Sequence, residues 1–177
     1  WQRDDVTLNM QGENSQANLS VLSLGANQQH QACFTQALHH APNALSKQVI
    51  KSIANDNASI TLNGRIYVAP GSTKTSAGFQ NKNLLLHPKA TINTKPELEI
   101  YNDDVICSHG ATIGELDQAA LFYLRSRGLS LEQAKHALLQ GFIEEILEGE
   151  MPVTLGALLK SAIKKHNILG VEEVSSE

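Results

Sequence analysis

Cysteine is nearly missing from this 177-residue sequence: Cys33 and Cys107 are the only two. Two thiols cannot frame a disulfide-stapled fold, so whatever core exists has to come from packing. Aromatic residues make up only 5%, and Lys+Arg number 14 against Asp+Glu 18, a formal net charge of -4. Without clustered basic residues to displace phosphate counterions, no nucleic-acid partner is expected. No apolar run approaches the roughly 20 residues of a bilayer span, so no membrane role is expected either. The chain opens on Trp1-Gln-Arg-Asp-Asp, with neither an initiator Met nor a charged-then-apolar signal pattern. It reads as an internal piece of something longer, soluble and held in a reducing compartment such as the cytoplasm. Two Asn-x-Ser tripeptides, at Asn18 and Asn57, match a pattern too short to alter that reading.

Asparagine is what the sequence has in quantity, 12 of its 13 occurrences falling before residue 103. Over the same stretch run short segments of strand-forming residues bounded by Gly, Asn, Asp or Pro, among them Val6–Met10, Asn18–Leu24, Ala32–Leu38, Ala58–Leu62, Arg65–Ala69, Asn83–Leu86, Leu98–Tyr101 and Asp104–Cys107. Ile60/Leu62 and Ile66/Val68 alternate as a half-buried strand requires. A helical period competes only around Val49-Ile-Lys-Ser-Ile. The segments are too many and too short to alternate with crossover helices, which leaves a β-solenoid or a β-sandwich. Asn tolerates left-handed backbone, and stacked coils supply many such corners; a sandwich would instead show repeated hairpin signals, of which Asn63-Gly64 is the only strong one. The solenoid is favoured, although no strict repeat period is visible.

From about residue 114 the pattern turns helical, giving an expected division into a β core over 1–113 and a helical domain over 114–177. Leu116, Ala120, Tyr123 and Leu124 form one face of a first helix that stops at Gly128. Ser130-Leu-Glu-Gln is a capping box opening a second helix with the stripe Leu131, Ala134, Leu138, Phe142, Ile146, ending at Gly149. A third is expected from about Leu155 to Asn167. Charge divides with the pattern: residues 1–111 hold 8 basic and 8 acidic side chains, residues 112–177 hold 6 and 10.

Signatures of catalysis are scarce, with no nucleophile elbow, no His-Glu-x-x-His, no dinucleotide fingerprint and no Cys-x-x-Cys. Gly71-Ser-Thr-Lys-Thr-Ser lacks the Gly-Lys step and the following helix of a phosphate loop, and reads as a polar turn. His39 and His40, adjacent on a strand, point to opposite faces and cannot share one ion; they read as surface or loop histidines. Asp103-Asp104 reads as a turn. Glu144, Glu145, Glu148 and Glu150 read as a solvated face or, alternatively, a docking surface for a basic partner. Cys107-Ser-His109 differs: two residues apart on an extended strand, thiol and imidazole project the same way and form a soft pair suited to iron, zinc or an iron–sulfur species. Two ligands cannot close such a site, so a second chain or a substrate would supply the rest. A structural Cys and a hydrogen-bonded His remain the competing interpretation.

Asn81-Lys-Asn-Leu-Leu-Leu-His, Pro96 through Asp117 and Leu121-Phe-Tyr-Leu-Arg-Ser-Arg-Gly-Leu closely resemble the SufB/SufD family of iron–sulfur cluster assembly scaffolds. Cys-Ser-His-Gly-Ala-Thr at 107–112 is similar to the SufD branch; the SufB branch carries acidic residues in that motif, which Ser108 and Gly110 do not match. The resemblance implies a right-handed parallel β-helix followed by a C-terminal helical domain, in a non-catalytic scaffold. It further implies pairing with a SufB-like subunit through the β-helix and docking of a SufC-like ATPase on the helices, here around Phe142, Glu144 and Glu145. A nascent iron–sulfur cluster would be held transiently at the subunit interface, with His109, beside Cys107, as candidate ligands and no cofactor tightly bound by this chain alone. The wider complex is associated with reduced flavin, for which no residue here marks a site. In isolation the open sheet edges are expected to pair in a homodimer. The competing functions are a β-solenoid enzyme acting on polysaccharide, which the fold alone would allow, and a SufB-like subunit that itself holds the cluster.

Overall fold

The computed structural model describes residues 1–147. The chain divides into two compact units, Trp1–Gly114 and Glu115–Glu177. The first contains eight strands, β1 (Gln2–Met10), β2 (Gln16–Gly25), β3 (His30–His39), β4 (Leu45–Ala54), β5 (Ser59–Val68), β6 (Thr75–Leu85), β7 (Thr91–Ile100) and β8 (Val105–Gly114). Odd strands form one sheet in the order β1-β3-β5-β7, even strands the other in the order β2-β4-β6-β8, and every pairing is parallel. The architecture is therefore a parallel β-solenoid of about four coils, as the sequence favoured.

Its repeat is concealed by its corners. In the odd sheet Gln2 pairs with Gln31 and Gln31 with Ile60, equal steps along the chain, but the next step, from Ile60 to Ile92, is longer. In the even sheet the step from Leu45 to Ser76 likewise exceeds the one from Gln16 to Leu45. Backbone at the corners enters the left-handed region at Asn14, Asn27, Asn43, Asp56 and Lys74, with φ between 54° and 60°. Asn14, Asn43 and Lys74 occupy equivalent places in successive coils, given the registers Gln16↔Leu45 and Leu45↔Ser76. Their amides are satisfied by the next coil: Asn43 N–H donates to the Thr73 carbonyl at 2.9 Å. Three of the twelve asparagines before residue 103 serve in this way, since a short polar side chain lowers the cost of left-handed backbone.

Alternation then decides what fills the interior. In β5 Ile60, Leu62, Gly64, Ile66 and Val68 are buried and the residues between them are not. Ile50, Phe79 and Ile92 pack with them in one cluster. Asn63-Gly64, the one strong hairpin signal in the sequence, lies instead in the middle of β5. Its glycine serves close approach, because a Cβ there would sit 1.8 Å from Phe79 Cε2. Val49-Ile-Lys-Ser-Ile, where a helix competed, is part of β4, since both neighbouring strands offer it a complete ladder.

In the second unit α1 spans Gln118–Ser126 and α2 Leu131–Leu147, in contact with each other. Asp117 caps α1, accepting from Ala119 N–H at 2.8 Å and Ala120 N–H at 3.2 Å, and Gly128 stops it with φ 99°. The capping box forms as expected: Gln133 N–H donates to Ser130 Oγ at 3.2 Å and Ser130 N–H to Gln133 Oε1 at 2.9 Å. The expected stripes are partly displaced, with Leu121, Ala134, Leu139, Ile143 and Ile146 buried while Tyr123 and Leu131 are exposed. Most of each expected stripe keeps its place, with Leu116, Ala120, Leu124, Leu138 and Phe142 half-buried, and the buried face widens to take in the adjacent Leu121, Leu139 and Ile143. The end of the second helix at Gly149, the acids Glu148 and Glu150, and the third helix expected over 155–167 lie outside the described residues.

Candidate functional site

Strand register fixes the face on which the sequence-selected pair lies. On β8 Cys107 pairs with Ala77 and His109 with Phe79, and both partners point into the solenoid, where they are 2% and 3% exposed. Cys107 and His109 therefore share the inward face, as their spacing required. Among the described residues β7 and β8 end their sheets, each pairing on one side only. The consequence is visible in exposure: Ile66 and Val68 are fully buried, but their partners one rung on, Leu98 and Ile100, are each 37% exposed. Ile113, on the same face of β8, is 45% exposed. Cys107 is half-buried and His109 exposed, on the apolar coil that ends both sheets among the described residues.

Partial burial pushes the Cys107 thiol above its ordinary pKa, a backbone hydrogen bond at Ala77 pulling the other way. The group is thus a neutral thiol at neutral pH and has to lose its proton before it can ligate a metal. No group of three His, Cys, Asp or Glu that could hold an ion is found among the described residues. A thiol and an imidazole alone match half of a soft tetrahedral donor set.

The other residues singled out separate from this pair. Cys33 is buried in the core, its thiol pushed up by burial and by Asp4 and Asp5. His40 is exposed, its ring 5.7 Å from that of Tyr67. His39 is not a surface histidine: strand parity turns it inward, where it is fully buried and its Nε2 lies 2.9 Å from Ser46 Oγ. Burial and the neighbouring His40 hold its pKa below the ordinary value. The segment from Gly71 to Ser76 turns the corner into β6, with Ser72 Oγ donating to the His39 carbonyl at 3.1 Å, in keeping with the polar-turn reading. Asp104 also lies in a turn, its N–H donating to Asn102 Oδ1 at 3.0 Å and its carbonyl accepting from Lys74 N–H at 2.6 Å. Phe142, Glu144 and Glu145 are on α2; Phe142 and Glu144 are half-buried, and Gln140 Nε2 donates to Glu144 Oε1 at 3.0 Å.

Sequence reasoning passed over a cluster on the outer face of the odd sheet. Arg65 pairs with Glu99, whose other oxygen accepts from the Tyr101 hydroxyl at 2.8 Å, and the Tyr67 and Tyr101 rings meet edge to face at 5.8 Å. Both contacts hold Glu99 below the usual carboxylate range. Arg65 and Glu99 come from different strands, so only the coil length could have revealed their proximity. A neighbouring cavity of 170 Å³, lined in part by Phe34, Gln36, Asn63 and Arg65, is smaller than the ~300 Å³ at which ordinary ligand pockets begin.

Comparison with known proteins adds the family. Residues 1–142 match the family described as SUF system FeS cluster assembly, SufBD core domain. The iron-sulfur cluster assembly protein SufD of Escherichia coli is 38% identical over 148 residues, covering 82% of this chain and 34% of the relative. A SufBD family protein of Synechocystis is 36% identical over 167 residues, covering 94% and 37%. The SufB protein of Bacillus subtilis is 30% identical over 155 residues, covering 88% and 33%. The chain spans about a third of the length of these relatives, and the match reaches residue 1, well upstream of the motifs that first carried the resemblance. With a parallel solenoid, a Cys-Ser-His motif on its last coil and these similarities together, the chain belongs to the SufBD core family of the SUF system for iron–sulfur cluster assembly.

Proposed function

We propose that this chain is a SufD-like scaffold subunit with no turnover of its own, working in a soluble, cytoplasmic complex. Residues 1–113 pair with a SufB-like subunit, and residues 114–177 dock a SufC-like ATPase on a surface that includes Phe142, Glu144 and Glu145. The nascent cluster is cargo, held where the two solenoids meet and then released. Cys107 and His109 are this chain's share of its ligands. Without the partner subunit, the same edge pairs with a second copy of this chain.

The observation that carries the reading is the juxtaposition on the last coil: two soft ligands, an incomplete donor set among the described residues, and apolar side chains that are 37–45% exposed here while Ile66 and Val68, on the preceding coil, are fully buried. An open parallel edge with an apolar inward face is stabilised by another strand pair laid against it. The test uses the reconstituted assembly complex. His109→Ala is expected to depress cluster formation strongly while the chain still co-purifies with its SufB-like and ATPase partners. Undiminished assembly would remove His109 from the mechanism, and failure to co-purify even with the unmodified chain would remove the scaffold role.

A further inference from the structure

We propose that Phe79 is a positioning residue for His109, a septum across the solenoid that keeps the imidazole at the open end. This rests on the reading of His109 as an interface ligand. Leu19, Gln48, Phe79 and His109 form one inward column, each pairing with the next. The column opposite the Phe79 ring is Val6, Thr35, Gly64 and Pro96. Only at Gly64 does that column lack a side chain, and there the facing ring reaches the opposite backbone. A Cβ on Gly64 would lie 1.8, 2.2 and 2.6 Å from Cε2, Cζ and Cδ2 of Phe79. The ring therefore spans the interior from one sheet to the other, and is itself 3% exposed.

What lies on either side gives the septum its consequence. Below it is Gln48, fully buried, with Nε2 donating to the Arg65 carbonyl at 3.3 Å and Oε1 without a partner among the described residues. Above it is His109, inward by register yet exposed. An imidazole on the end rung gains by turning inward, where it would bury its ring and offer a donor to the Gln48 oxygen. The Phe79 ring occupies the route between them. Held off the interior, His109 stays on the face where a partner arrives. Cys107 is independent of this device, because it stands over Ala77.

The test is the accessibility of His109 in the folded chain, diluted until light scattering shows a monomer so that no second copy covers the edge, read by mass spectrometry as the rate of carbethoxylation by diethyl pyrocarbonate, with alkylation of Cys107 as the internal reference. Phe79→Ala opens the route. The His109 rate is expected to fall about fivefold, the factor imposed by a tucked-in conformer populated roughly 80% of the time. The Cys107 rate stays at the wild-type value, and Phe79→Met, which refills the space, restores His109. A wild-type His109 rate in folded Phe79→Ala, or equal changes at His109 and Cys107, would overturn the proposal. If the alanine variant does not fold, Phe79→Val, which also leaves a void but keeps a strand former, carries the same test with the same outcomes. Loss of the role of His109 in assembly would show separately, as normal assembly by His109→Ala with the accessibility pattern intact.

Discussion

Replacing Gly64 with alanine is the sharpest test of how the solenoid interior is packed. In the middle of an ordinary strand this change helps by about 0.5–1 kcal/mol, because glycine loses more backbone freedom on folding. Here the added carbon would fall 1.8 Å from Phe79 Cε2, against the ~3.5–4.0 Å of ordinary carbon contact. The ring would have to retreat by roughly 2 Å inside an interior where Leu62, Ile66 and Ala77 are at most 2% exposed. Forced repacking of that kind costs about 1–3 kcal/mol and occasionally more. Gly64→Ala is therefore expected to lower stability by about 2 kcal/mol, read as a reduced urea midpoint by circular dichroism at unchanged slope. A second arm isolates the cause. Phe79→Ala alone costs about 3–5 kcal/mol, and in the double variant the new methyl group enters the void, so the two losses should fall short of additive by at least ~1 kcal/mol. A Gly64→Ala stability within about 0.5 kcal/mol of wild type, or strictly additive losses, would refute the close-approach argument.

His39 carries a pH prediction. Its folded-state pKa lies below the ordinary value, so the unfolded chain binds the proton more readily; the stability it contributes is present above about pH 6.5 and is lost as pH falls below that, until the folded group also titrates. The contribution to the slope cannot exceed about 1.4 kcal/mol per pH unit, and His39→Gln should flatten the acid limb of the stability profile relative to wild type, the remaining histidines cancelling in the comparison. Parallel limbs would show that His39 is not buried as a neutral ring. At the other end of the chain, Ser130→Ala removes the oxygen that Gln133 N–H donates to and should cost about 1 kcal/mol, seen as faster amide exchange in the first turn of α2 with α1 unaffected. Unchanged exchange at Gln133 would mean that the cap does not hold the helix start.

Much of this protein was legible from local chemistry alone. The asparagine excess announced left-handed corners, Gly128 and Ser130 announced a helix stop and start, and the two-residue spacing of Cys107 and His109 announced a shared strand face, because each of these properties is set within a few residues. Failures came where the deciding partner was distant. Asn63-Gly64 looked like a turn until Phe79 supplied the reason for a glycine inside β5; the burial of His39 against Ser46, only seven residues on, was instead a local matter of strand parity and of the corner between β3 and β4 that the sequence reading missed. Corners of unequal length changed the repeat from one coil to the next, which hid the registers from the sequence and with them the Arg65–Glu99 pair and the facing columns. Composition and local pattern thus determined a many-stranded β unit followed by helices, favoured a solenoid over a sandwich, and put a thiol and an imidazole on one face. Which rung carries them, that Phe79 fills the space beneath His109, and that the last coil presents apolar side chains at its edge were decided by tertiary stacking, since burial depends on the neighbour one coil away and not on the residue next in the chain.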